Sequence, residues 1–164
     1  MVVHFEFLDQ AYGLQAPDGY RIDVKGDEIV MSPQRPAHWR VISDLDFQVR
    51  TQDQSVQRQS DVRMALPGWK HPPAPDFAVY PEGAALAAAN ALFVAEVVAE
   101  SSREADFDTK RKIYASAGVP EYLVVDPESG TWSLFSDPVD DGYTKVQDGT
   151  RGDRVRIAGF TIEL

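Results

Sequence analysis

Three side chains are placed where their chemistry is hard to explain by folding alone. Glu96 sits in the middle of the apolar run Leu92-Phe-Val-Ala-Glu-Val-Val98. A strand of that composition is buried on both faces, and an unpaired carboxylate there is very expensive, so Glu96 needs a cation or a charged partner. Asp76 opens the preceding apolar run, Asp76-Phe-Ala-Val-Tyr80, directly after Pro75. If the two runs are antiparallel neighbours, the start of the first lies beside the end of the second, and Asp76 converges on Glu96. Lys110 is the third. At about 100° per residue with Lys110 at zero, Phe107 falls near +60°, Tyr114 near +40°, Ala117 near −20° and Ile113 near −60°, so the apolar face centres on the lysine. Lys112 points the opposite way. A lysine in a core-facing stripe snorkels out or meets an acidic partner.

Each of these has an ordinary reading when taken singly. Glu96 could line the polar face of an edge strand or pair with an arginine, Pro-Asp is a common strand-entry dipeptide, and Asp106 stands at i−4 to Lys110 as a helical ion-pair partner. Together they match the needs of phosphodiester hydrolysis. Two carboxylates hold one or two hard divalent ions, Mg2+ or Mn2+, and a main-chain carbonyl such as that of Val97 completes the set. The lysine positions the attacking water or stabilises the charge that develops on phosphate. A carbohydrate hydrolase using Asp76 and Glu96 as an acid/base pair also fits the carboxylates but leaves Lys110 without a role. There is no Gly-rich phosphate loop, His-Glu-x-x-His or Gly-x-Ser-x-Gly motif, and His4, His38 and His71 show no metal-ligand spacing.

The elements that must position these groups can be read from periodicity and turn chemistry. Tyr20–Val24 and Glu28–Met31 flank Lys25-Gly26-Asp27 as a hairpin. Ile42, Leu45 and Val49 recur at helical spacing between Pro36 and Thr51, predicting a helix with His38 at its entry. Gln57 to Leu66 reads as a strand, the proline-rich stretch Pro67 to Pro75 as a loop, and the alanine-rich Ala84 to Asn90 as a short helix or ordered loop. The strands at Asp76–Tyr80 and Leu92–Val98 follow. A helix from about Glu104 to Ala117 then stops at Gly118 with Pro120 beyond. Strands at Tyr122–Val125, Thr131–Phe135, Tyr143–Val146, Arg154–Ile157 and Phe160–Ile162 complete the chain. This order predicts an α+β fold, a mixed sheet flanked by helices with additional strands at the C-terminus, and one crossover helix joining parallel strands at Glu96 and Tyr122.

At 164 residues, 43% hydrophobic and 26% charged, the chain is expected to form one globular domain over 1–164. Sixteen Lys and Arg against 26 Asp and Glu give a net charge of −10, which excludes a broad basic footprint for nucleic acid and leaves only a local contact. The absence of cysteine excludes disulfides, Cys-ligated metals and thiol nucleophiles, and is compatible with a cytoplasmic setting. Met1 to Asp9 does not read as a secretory signal, and the longest mostly apolar, charge-free stretch, Gly83 to Ala95, is too short to span a membrane.

The pattern Pro75-Asp76, Phe93-Val-Ala-Glu96-Val-Val98 and Asp106-x-x-x-Lys110-x-x-x-Tyr114-Ala-x-Ala-Gly-Val-Pro-Glu-Tyr-Leu-Val-Val-Asp126 resembles the Uma2 family of restriction endonucleases, a branch of the PD-(D/E)XK nuclease superfamily. The front segment Asp23 to Pro33 followed by His38 looks like the same family's hairpin. The resemblance implies a restriction-endonuclease-like core in which Asp76 and Glu96 bind the metal and Lys110 is the active-site lysine. In much of the superfamily the lysine follows the glutamate by two residues, a position held here by Val98. The chain also departs from the family pattern at Asp23, Asp27 and Ala99-Glu100, and leaves open whether Asp23 or Glu28 adds a metal ligand.

Two functions follow from these readings. One is a metal-dependent DNA endonuclease. The other is a non-catalytic interaction domain that keeps the fold, with the strands Thr131–Phe135 and Tyr143–Val146 offering an edge for a homodimer or another macromolecule.

Overall fold

A computed structural model describes residues 20–25, 28–33, 36–70, 72–99 and 103–164. The readings made for Met1 to Asp9, His4, the Gly26-Asp27 turn, His71 and Glu100, and for the side chains of Asp23 and Glu28, lie outside what is described. The chain divides into two compact units, Met1–Trp39 and Arg40–Leu164. In the first, β1 (Tyr20–Lys25) and β2 (Glu28–Pro33) form the antiparallel hairpin expected from the sequence, Tyr20 opposite Pro33 and Lys25 opposite Glu28.

The second unit is built on a six-stranded mixed sheet of order β3-β4-β5-β6-β7-β8. Its strands are β3 (Gln57–Gln59), β4 (Phe77–Tyr80), β5 (Phe93–Val97), β6 (Glu121–Asp126), β7 (Thr131–Val139) and β8 (Gly142–Thr150). All neighbours are antiparallel except β5 and β6, which run parallel with Glu96 opposite Val124. The architecture is the α+β, mixed-sheet fold that the order of elements predicts.

Each face of the sheet has its own core. On one, helix α1 (Pro36–Gln52) sets Ile42, Leu45 and Val49 against Phe77, Val79, Phe93, Ala95, Val97, Leu123 and Val125. The small hairpin of β9 (Arg154–Ile157) and β10 (Phe160–Glu163) adds Val155, Ile157, Phe160 and Ile162 to this layer. Gln48 and Gln52 of α1, one turn apart, each donate to and accept from the main chain of β10, at Glu163 and Thr161. They occupy hydrogen-bonding groups that an edge strand would otherwise present.

On the opposite face, Ala78, Tyr80, Val94, Val98, Tyr122 and Val124 meet Met64, Leu66, Ala88, Tyr114 and Val119. Tyr114 belongs to α2 (Lys110–Ser116), which a π-helical turn, Ala105–Thr109, precedes. Gly118 ends this helix with φ +78°, a conformation that costs glycine little, and the Val119 N–H returns to the Tyr114 carbonyl at 3.0 Å.

Three sequence expectations change. The strand read from Gln57 to Leu66 closes after Gln59, because Asp61 takes a left-handed conformation (φ 55°) and donates its N–H to the Pro75 carbonyl. The strands read at Thr131–Phe135 and Tyr143–Val146 continue to Val139 and Thr150. Pro138 is accommodated because the β6 ladder ends at Ser136, so no second neighbour requires its missing N–H. Since β7 is paired on both sides, only β8 of these two strands offers an edge.

Candidate active site

The antiparallel register of β4 and β5, Phe77 opposite Ala95, continues one step to bring Asp76 level with Glu96 on the same side of the sheet. Both are buried, Asp76 at 2% and Glu96 at 0% exposure. Asp76 Oδ2 accepts the main-chain N–H of Val97 at 2.7 Å, which ties the carboxylate to the strand carrying Glu96. The convergence expected from the hairpin is therefore present.

The helix crossing this face supplies the counter-charge. Lys110 Nζ lies 2.9 Å from Glu96 Oε2 and 2.8 Å from Asp106 Oδ1, with 16% of its side chain exposed. Lys112 is exposed and pairs with Asp108 at 2.8 Å, as the wheel requires. The alternatives for Lys110, a helical partner at Asp106 or a carboxylate on the sheet, are both realised. An exposed pair at this spacing is worth a few tenths of a kcal/mol. Here Asp106 is itself buried, at 1% exposure, so the lysine neutralises two carboxylates away from solvent.

Two contributors go beyond the sequence reading, in which Asp106 stands only as a helical partner of Lys110 and Tyr114 has no role at Glu96. Asp106 is a member of the cluster, and Tyr114 donates its O–H to Glu96 Oε1 at 2.7 Å. The signal was the spacing itself, since Asp106, Lys110 and Tyr114 stand at i, i+4 and i+8 and share one helix face. The π turn contains Asp106, ends just before Lys110 and widens the helix locally, a feature frequent at functional sites. Tyr122 stabilises it by donating its O–H to the buried main-chain carbonyl of Asp106 at 2.9 Å. The rings of Tyr114 and Tyr122 pack 5.0 Å apart.

The electrostatics follow from this crowding. Burial pushes the Glu96 carboxyl up; Lys110 pulls it down, and the nearby Asp76 and Asp106 add to the rise. Burial pulls the Lys110 ammonium down, but Glu96, Asp106 and Asp76 outweigh it and hold the lysine above its ordinary value, firmly charged. Burial, reinforced by Glu96, keeps the Tyr114 hydroxyl protonated and able to donate. Lys110 thus pairs with Glu96 and Asp106 in an oxygen-rich, buried cluster that Asp76 adjoins. Among the described residues no three His, Asp or Glu side chains form a ready-made cage for a metal ion. Magnesium does not need one, because it keeps several waters and is held by one or two carboxylates.

The remaining basic residues of Lys110-Arg111-Lys112 are also engaged. Arg111 stands 5.5 Å from the centre of the Phe135 ring and 3.7 Å from Asp108, which also takes Lys112. At the end of β6, the buried Asp126 accepts the N–H groups of Glu128 and Ser129 and pairs with Arg103 at 2.6 Å. No described helix is long and apolar enough to cross a membrane.

A family model described as "Putative restriction endonuclease" (Uma2) matches residues 6–164. Among solved structures, a "putative nuclease belonging to DUF820" from Anabaena variabilis ATCC 29413 is similar, with a TM-score of 0.61 and 14% sequence identity over 92% of this chain and 88% of that one. At that identity the likeness speaks for the fold. No curated protein matches. With the family model running through nearly the whole sequence, the chain belongs to the Uma2 family.

Proposed function

We propose that the chain is a metal-dependent DNA endonuclease that hydrolyses phosphodiester bonds at Asp76, Glu96 and Lys110. The observation that carries this reading is the ion pair of Lys110 with Glu96, on the face where Asp76 stands level with Glu96. The donor set is all oxygen, which suits a hard divalent ion. Asp76, Glu96 and the main-chain carbonyl of Val97 would hold Mg2+ or Mn2+. When bound, the ion neutralises charge on the phosphate and lowers the pKa of a water. Lys110 remains protonated and would present an ammonium to the phosphoryl oxygens or to the attacking water, with Asp106 keeping it in place. The family description supports DNA as the substrate.

The test pairs binding with cleavage. Calorimetry should detect binding of Mg2+ or Mn2+ to the wild-type protein and its loss in Asp76→Ala, and supercoiled plasmid should be nicked only with the ion present. No divalent binding, or binding unchanged in Asp76→Ala, overturns the proposal.

A further inference from the structure

We infer that Tyr114 is a positioning residue that fixes the orientation of Glu96 for the metal ion; this rests on the metal-dependent reading above. The two oxygens of Glu96 are held from opposite chemistries. Oε2 faces the Lys110 ammonium at 2.9 Å, and Oε1 accepts the Tyr114 hydroxyl at 2.7 Å. The lysine is a point charge on a flexible four-carbon stem and imposes little direction. Tyrosine has a rigid ring, and this one is buried and packed against Tyr122 at 5.0 Å, whose own hydroxyl is anchored on the Asp106 carbonyl at 2.9 Å.

The hydroxyl donates one proton to one lone pair of Oε1 and leaves the others on that carboxylate available. Tyr114 therefore restrains Oε1 of Glu96 while leaving acceptor capacity on that carboxylate with which it could hold a cation. Residues that hydrogen-bond a ligating carboxylate typically contribute 10- to 100-fold to metal affinity or activity. Because Tyr114 and Lys110 stand one turn apart on α2, the same helix face that delivers the ammonium also aims the ligand.

The experiment is Mn2+ binding to wild type, Tyr114→Phe and Tyr143→Phe, followed by calorimetry or by the electron paramagnetic resonance of free Mn2+. Tyr143 is the comparison because its hydroxyl donates to the Val119 main-chain carbonyl at 2.9 Å, within the same aromatic cluster, without touching a carboxylate of the site. The expected result is a Kd for Mn2+ raised about 10- to 100-fold in Tyr114→Phe and unchanged in Tyr143→Phe. A Kd unchanged in Tyr114→Phe, or an equal rise in both variants, overturns the inference while the metal-dependent reading stands. Absence of Mn2+ binding to wild type overturns both. Should Tyr114→Phe not fold, wild-type protein labelled with 13C at the tyrosine Cζ serves instead: a buried tyrosine resonance must move as Mg2+ saturates the protein, and no movement overturns the inference.

Discussion

Asp76, the residue that precedes β4, and Val97 of the neighbouring β5 are joined by a hydrogen bond of 2.7 Å from the Val97 N–H to the Asp76 carboxylate. The carboxylate thus has two jobs, satisfying a buried main-chain donor and facing the site, and conservative variants should separate them. Asp76→Ala orphans the Val97 N–H and should cost about 1–3 kcal/mol in urea unfolding. Asp76→Asn retains an acceptor oxygen and should cost less. Both should lose divalent-ion binding in calorimetry, so a metal-binding Asp76→Asn would assign this residue to the fold alone.

Lys110 and Lys112 provide an internal comparison, one partly buried between two carboxylates and the other exposed beside Asp108. Lys110→Met leaves Glu96 and Asp106 without their ammonium and should destabilise the protein by about 3–5 kcal/mol. Nicking of supercoiled DNA should fall by about 10²-fold or more. Lys112→Met should change stability by no more than about 0.5 kcal/mol and leave nicking as it was.

Asp126 predicts a dependence on acid. Burial raises its carboxyl, but hydrogen bonds from Ser129, Arg103 and Glu128 overcome that and hold it below the ordinary aspartate value of 3.8. A group whose pKa is lower in the folded state stabilises above its unfolded value, and that contribution disappears as pH falls through the folded one. Asp126→Asn should therefore be less stable than wild type at neutral pH by about 1 kcal/mol, the half-exposed Arg103 being partly screened. The gap should hold down to about the ordinary aspartate range and close in stronger acid, as chemical denaturation at stepped pH would report.

Gly149 on β8 tests how tightly the far end of the sheet is packed. A Cβ there would overlap the indole of Trp132, the buried tryptophan whose Nε1–H donates to the Thr150 carbonyl at 3.1 Å. Gly149→Ala should displace that ring at a cost of about 1–3 kcal/mol, with a shift in tryptophan emission and a lower Tm. An unchanged melt and spectrum would contradict the packing described.

What could be read in advance depended on whether an element's signal was local. The apolar run around Glu96 and the helical spacing centred on Lys110 report burial directly, and both residues stand where those patterns require. Asp106 was harder, because an aspartate at i−4 to a lysine has the same spacing whether the pair is in solvent or in a core. The π turn left no mark, since Ala105 and Phe107 fit an ordinary helix equally well. The early close of β3 depends on the contact between Asp61 and Pro75, and the length of β7 and β8 on which ladders remain unfilled at Pro138. These are consequences of tertiary neighbours, which a one-dimensional pattern does not carry.

The internal neutralisation of Lys110-Arg111-Lys112 also bears on how such a protein would meet a polyanion. Proteins that hold DNA through many lysines and arginines release condensed counterions, and lose about 10³–10⁵ in affinity between roughly 50 and 200 mM salt. Here the most concentrated basic segment is already spent on Glu96, Asp106, Asp108 and an aromatic ring. Few counterions would be released on contact, so attachment to duplex should be shallow in its response to ionic strength. On the metal-dependent reading proposed above, working rate would follow the supply of divalent ion instead, and non-specific sliding along bulk DNA would contribute little to finding a target.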